Sequence, residues 1–195
     1  VSWQNTTHDW TRDVDVEHLE RIRRSPDGFA PGGVAHLVLE ALAYAADEAA
    51  ERGGGRAVVT VHEDGSIAVT DNGRGTDTRV DAEGRTVKKP VMATKDLRFF
   101  DEPSALLPDG HHRRGMSVVA ALSEWLVHTN RRDNGSWLQR YAHGVPVTDL
   151  IPITSDGTTG TTVHFLPSPG LAPVTTLPTD FGPHLTVVLN GLAAH

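Results

Sequence analysis

Between Ala35 and Ala50, His36, Glu40, Tyr44 and Asp47 recur at three- and four-residue steps, the spacing that stacks side chains on one face of an α-helix. A histidine one turn ahead of a carboxylate is within hydrogen-bonding reach of it and can set its orientation. A second stripe, Val34, Val38, Leu42, Ala45 and Ala49, is apolar. Residues 35–50 contain no lysine or arginine and three acidic residues, so both faces read as covered, unlike a surface helix with its basic polar face. A carboxylate on a covered face needs a reason, because burying an unpaired charge is costly. The plain structural reading of Glu40 is a core carboxylate paired with a histidine or arginine.

Two glycine-rich stretches carry further chemistry. In Asp71-Asn72-Gly73-Arg74-Gly75, glycines two and four residues after a carboxylate let backbone come close to something flat or small, although alone the stretch is a simple turn. Gly110-His-His-Arg-Arg-Gly115 runs into Met116 to Ser123, a loop feeding a helix whose free N–H groups attract anions. His111 and His112 lack a further ligand at recognisable spacing, so no metal site is expected there.

The elements that must position these groups follow from pattern. A short amphipathic helix over Asp15 to Arg24 is followed by breaks at Ser25-Pro26-Asp27-Gly28 and Pro31-Gly32-Gly33, then the central helix, closed by Arg52-Gly53-Gly54-Gly55. Arg56–Val61 and Ser66–Asp71 read as a hairpin around His62-Glu63-Asp64-Gly65. Residues 76–109 are irregular, as lids and disordered segments are. Trp125–Arg131 and Ser136–Ala142 flank Arg132-Asp133-Asn134-Gly135, a strong turn signal. Strands over Val145–Leu150, Thr161–Leu166 and His184–Asn190 complete about seven. Many strands and few helices predict an α+β fold. Residues 1–14, with Trp3 and Trp10, read as an N-terminal arm, and residues 15–195 as one domain.

The chain has 195 residues, a net charge of −7 and no cysteine, which excludes a disulfide scaffold and thiolate chemistry and argues against direct DNA binding. No apolar run is expected to approach the roughly 18 residues of a membrane helix, and no signal pattern opens the chain. A cytoplasmic location is the expectation.

Taken in order, His36-Leu-Val-Leu-Glu40 with Asp47-Glu48-Ala49, Asp71-Asn-Gly-Arg-Gly75, Gly115-Met-Ser-Val-Val-Ala-Ala-Leu-Ser123, Tyr141-Ala-His-Gly144 and Thr159-Gly-Thr161 resemble the ATPase domain of the DNA gyrase B and topoisomerase IV B subunits, within the wider gyrase, Hsp90, histidine-kinase and MutL class. The resemblance runs from about Glu17 to Ser168. It implies the Bergerat ATP-binding fold, a two-layer α/β sandwich of a mixed, mostly antiparallel sheet of seven or eight strands with helices on one face. It further implies ATP as ligand. Glu40 falls on the general base that aligns water against the γ-phosphate, oriented by His36. Asp71 falls on the adenine reader, with Gly73 and Gly75 letting the base lie on backbone and Thr161 supporting the aspartate. Arg74 with Glu48 matches an ion pair at the rim. Gly110 and Gly115 match the ends of the phosphate-cradling lid.

Three departures accompany these matches. The family's Mg²⁺-holding asparagine, one turn after the base, is Tyr44, and a protonated phenol is a poor Mg²⁺ ligand. A lid glycine is Arg113, which alters the phosphate wrap; Arg113 and Arg114 are candidates to neutralise phosphate in place of the metal. The family's second domain, with a lysine that contacts the γ-phosphate, and its DNA-cleaving domains are not among these residues, so no topoisomerase reaction is expected of them alone. The functions left open are a gyrase-B-like ATPase, a nucleotide-binding module without hydrolysis, and a protein-interaction domain that has lost its ligand. The expected partners are adenine nucleotide and topoisomerase-like domains or subunits, with a monomer as the expected state.

Overall fold

The computed structural model describes residues 14–76, 82–83, 92–99 and 105–194. The expected arm, apart from Val14, and much of the expected lid lie outside the described residues.

The first helix, α1 (Val16–Arg24), begins where the Asp15 carboxylate accepts from the His18 backbone N–H at 3.1 Å, and it ends in Arg21, Arg23 and Arg24, placing acid and base as the helix dipole favours. The expected break at Ser25 is instead a one-turn helix, α2 (Pro26–Phe29), because proline is tolerated at the first helical position. The central helix, α3 (Val34–Arg52), starts at Gly33, whose φ is +67° and where a Cβ would meet the Ala172 backbone oxygen at 2.6 Å.

The strands are β1 (Gly55–Val61), β2 (Ile67–Asp71), then after the short helix α4 (Met116–Ala121) β3 (Ser123–Arg132), β4 (Gly135–Ala142), β5 (Val145–Pro146), β6 (Ile151–Ile153), β7 (Gly160–Pro167), β8 (Thr176–Leu177), β9 (Leu185–Asn190) and β10 (Ala193–Ala194). Eight of them form one sheet in the order β5-β4-β3-β7-β2-β1-β9, with β6 also on β4. The β1–β9 pairing is parallel and the others in this sheet antiparallel, so the expected mixed, mostly antiparallel sheet with packed helices is what the chain forms. The small β8–β10 pair was not expected. The strand expected over Val145–Leu150 is corrected: only Val145–Pro146 pairs with β4, and beyond it the Arg140 N–H goes to the Thr148 hydroxyl at 3.0 Å instead of to a strand carbonyl.

Alternate strand residues Ala57, Val59, Ile67, Val69, Leu126, Val163 and Phe165 are buried in one core with Leu37, Leu39 and Leu42 of α3. Burying each leucine or phenylalanine fully contributes about 1.5–3 kcal/mol. The expectation that no run reaches membrane length is also corrected, since residues 26–52 are long and apolar enough by length and composition. Their apolarity reflects a helix covered on both sides, in which Glu40 is fully buried.

Candidate functional site

Glu40, Tyr44 and Glu48 follow one another at four-residue steps along α3, so the stripe from Glu40 to Glu48 is about 12 Å long. Each of the three anchors a different cluster.

Glu40 and His36 are both fully buried. His36 Nε2 lies 3.1 Å from Glu40 Oε1, and Nδ1 lies 3.0 Å from Asp109 Oδ2. Burial pulls the imidazole pKa down, but hydrogen bonds and charge from Asp109 and Glu40 outweigh it and set the value at about 9. At neutral pH His36 is therefore an imidazolium donating from both nitrogens. Glu40 also accepts two backbone N–H groups, Arg114 onto Oε1 at 2.6 Å and Gly115 onto Oε2 at 2.8 Å. The loop amides ahead of α4 thus hold the chain's own carboxylate.

At the next turn the Tyr44 hydroxyl donates to Asp96 Oδ2 at 2.6 Å. Burial first, and the Asp96 charge after it, raise the phenol above its usual range. Asp96, 1 % exposed, also accepts from the Arg98 backbone N–H and guanidinium. Arg113 is buried, with its guanidinium carbon 4.5 Å from the Tyr44 ring centroid and 4.1 Å from that of Phe99. Its Nη2 donates to Asp47 Oδ2 at 2.8 Å. A Cβ on Gly115 would stand 3.1 Å from the Tyr44 hydroxyl and 2.9 Å from Asp96 Cβ, so only glycine lets the loop lie on this pair.

At the far end of the stripe Asp71 Oδ1 accepts from the backbone N–H of Gly73 at 2.8 Å and of Thr161 at 3.3 Å. Oδ2 makes no hydrogen bond among the described residues. Burial pushes the carboxyl above its usual range despite these two bonds. A Cβ at Gly73 would stand 2.6 Å from Glu48 Cγ. Glu48 accepts from Arg74 through the backbone N–H at 2.9 Å, Nε at 2.7 Å and Nη2 at 2.9 Å. Those bonds draw the Glu48 carboxyl below the usual range. Asp71, Gly73, Ala45, Glu48 and Ala49 line a shallow cleft too narrow to admit a water-sized sphere, and Glu40 is not on its wall.

The structure therefore gathers the sequence candidates into two ends joined by α3. His36, Glu40, Arg114 and Gly115 meet at one, and Asp71, Gly73, Arg74 and Thr161 at the other; Tyr44 and Arg113 stack between them. Thr161 reaches Asp71 through its backbone N–H. Gly75, with φ +80°, packs on the Arg131 backbone oxygen beside Asn130, and Asn130 clamps Thr76 by two hydrogen bonds of 2.6 and 3.0 Å. Gly110, with φ +81°, forms the turn that presents Asp109. Sequence reasoning missed Asp109, Asp96, Phe99 and Asn130. The one available signal was Pro108-Asp109-Gly110, which reads as an ordinary turn.

A divalent cation does not fit the α3 position after Glu40. The Tyr44 oxygen keeps its proton and donates it to Asp96, and the ring face carries a guanidinium, whereas Mg²⁺ requires near-octahedral oxygen donors.

No family model matches the chain. Among curated proteins it is similar to the B subunit of DNA topoisomerase 4 from Bacillus subtilis, 35 % identical over 167 residues that make up 83 % of this chain and 26 % of that protein. It is likewise similar to the B subunit of DNA gyrase from Thermotoga maritima, 37 % identical over 160 residues, 79 % of this chain and 25 % of that protein. The chain thus spans about a quarter of the length of these relatives. Among solved structures it resembles the topoisomerase IV ATP-binding domain of Francisella tularensis in complex with a small-molecule inhibitor, with a TM-score of 0.61, 26 % identity, and coverage of 77 % of this chain and 41 % of that one.

Proposed function

We propose, from the premise that this chain belongs to the ATP-binding-domain family of the DNA gyrase and topoisomerase IV B subunits, that it holds the adenine of ATP at Asp71 and presents Glu40 to the phosphates. The observation that carries this reading is the Asp71 carboxylate: two backbone amides fix Oδ1, leaving Oδ2 to accept from an exocyclic amine. Gly73 lines the cleft beside Asp71, Gly75 packs instead on the Arg131 backbone, and the Thr161 amide supports the aspartate.

Hydrolysis places further demands on the other end. As general base, Glu40 takes a proton from water as its oxygen attacks the γ-phosphorus; the bond to the β,γ-bridging oxygen breaks and ADP leaves. In this structure Glu40 already accepts three hydrogen bonds, so the Arg114 and Gly115 amides must first move from the carboxylate, and those freed N–H groups then face phosphate oxygens. His36, held by Asp109, keeps the carboxylate oriented and is a positioning residue.

A second reading, a nucleotide-binding or protein-interaction module without hydrolysis, is favoured by that same saturation of Glu40 together with Tyr44. Calorimetry with ATP, ADP and adenosine tests the binding claim. Adenosine heat that disappears in Asp71→Ala supports the adenine site, and heat unchanged by that substitution overturns it. Phosphate release that survives Glu40→Ala removes Glu40 as the base. The activity on DNA named for the longer relatives, association with further topoisomerase-like domains and a cytoplasmic location are proposed on the same ground of family membership, and a monomeric state on the ground that the sequence of residues 1–14 lacks a match to the family's subunit-bridging arm.

A further inference from the structure

We propose that Arg113 supplies from within the chain the positive charge that a divalent metal would bring to nucleotide phosphates, so that nucleotide binding here is independent of divalent cations. The inference rests on the nucleotide reading above and deepens it.

The place for a metal-holding side chain on α3 is occupied by Tyr44, whose hydroxyl is committed to Asp96. Over its ring lies Arg113, 6 % exposed, whose guanidinium carbon is 4.5 Å from the Tyr44 centroid and 4.1 Å from that of Phe99. Two aromatic faces fix the guanidinium plane, so little freedom is left to lose when it meets a ligand. Its Nη2 is paired with Asp47, yet its Nε–H is buried with no acceptor among the described residues. A native structure rarely keeps a buried charged donor unpaired. An acceptor of phosphate chemistry accounts for it, since the Nε and Nη edge of a guanidinium matches two oxygens of one phosphate.

The surrounding charges fit this assignment. Arg98 is spoken for by three hydrogen bonds to Asp96, while Asp47 is 47 % exposed and can turn to water when a phosphate takes its place. Arg113 also immediately precedes the Arg114 and Gly115 amides on Glu40, so one short segment carries both the cation and the amides for an anion.

The test is calorimetric titration of the whole chain with ADP and with adenosine, in excess Mg²⁺ and in excess EDTA. Equal ADP affinity in the two buffers, within about threefold, is the expected result. ADP binding that weakens more than about tenfold in EDTA while adenosine binding holds overturns the inference and leaves the adenine site standing. Adenosine that fails to bind, or binds equally to Asp71→Ala, overturns the nucleotide reading and this inference with it. Arg113→Met should weaken ADP about tenfold or more, the loss of a charge-assisted hydrogen bond, and leave adenosine within about twofold. Arg113→Lys should recover part of the ADP affinity. If Arg113→Met lowers both ligands equally, the arginine is structural and the inference is overturned; the buffer comparison on the unaltered chain decides the matter if that variant does not fold. In Tyr44→Asn, ADP binding should become sensitive to EDTA.

Discussion

The two ends of the α3 stripe are built differently. At the Asp71 end the fixed groups are backbone: the amides of Gly73 and Thr161, and glycines where a Cβ would collide. At the Glu40 end two backbone amides again hold the carboxylate, but a layer of side chains is folded onto them: an imidazolium between two carboxylates, and arginines among acids and rings. Backbone recognition depends on the fold and persists while the fold does. Side-chain recognition can be rewired residue by residue, as Tyr44 and Arg113 are. The difference implies that the Asp71 end contributes selectivity at little cost to stability, while the Glu40 end contributes much of the local stability.

The largest effect should come from Glu40→Ala. It leaves His36 with one of its two acceptors and two amides without any, and breaking a buried ion pair costs about 3–5 kcal/mol. Asp71→Ala strips two amides nearer the surface and should cost about 1 kcal/mol. Denaturant midpoints of the two variants measure the contrast, and equal losses would show that both ends are equally structural.

The pH dependence of stability sharpens the same comparison. His36 has a folded pKa of about 9 against an ordinary 6.5, so its contribution is fully present below about pH 6.5 and is lost as pH rises through about 9. Over that window the loss is at most roughly 3 kcal/mol by linkage. Urea unfolding between pH 6.5 and 10 should show it, and His36→Asn should flatten that arm. Unchanged alkaline sensitivity in His36→Asn would place the titration elsewhere.

At the other end the signature is in binding. Asp71→Ala should weaken adenosine about a hundredfold, or about 2.7 kcal/mol, the size of one hydrogen bond to a charged group. Since burial raises the Asp71 carboxyl and a proton on it would sit on Oδ2, the oxygen that the amides leave to accept from the amine, adenosine affinity should fall on acidification earlier than an ordinary aspartate would give. An affinity flat with pH down to the ordinary carboxylate range would contradict that.

Legibility in the sequence divides along the same line. The α3 stripe, the β1–β2 and β3–β4 hairpins and the pairing of His36 with Glu40 were readable because each is local, set by a period or by a turn of two to four residues. Asp71 was readable because its glycines follow it directly. Asp109 and Asp96 were not: they meet their partners 73 and 52 residues away in the chain, and no period connects a loop carboxylate to a helix. The inward turn of Arg113 was equally hidden, since an arginine in a glycine-rich loop reads as solvated until two rings are placed around it. The misread strand over Val145–Leu150 failed beyond Pro146, at Thr148, whose hydroxyl takes the Arg140 N–H, a side-chain competition that local pattern does not carry.

The smallest effect belongs to the rim. Arg74 makes three hydrogen bonds to Glu48 and one to Glu51, which looks like the strongest ionic cluster at the Asp71 end. Its side chain is 54 % exposed, so water and salt screen what the geometry offers. One of those bonds is also backbone and survives truncation. Arg74→Ala should therefore leave the unfolding midpoint within error and adenosine affinity within about twofold. A clear fall in adenosine affinity at low salt that vanishes at high salt would show that side-chain charge takes part in recognition at the Asp71 end, and the division between a backbone-built end and a side-chain-built end would have to be redrawn there.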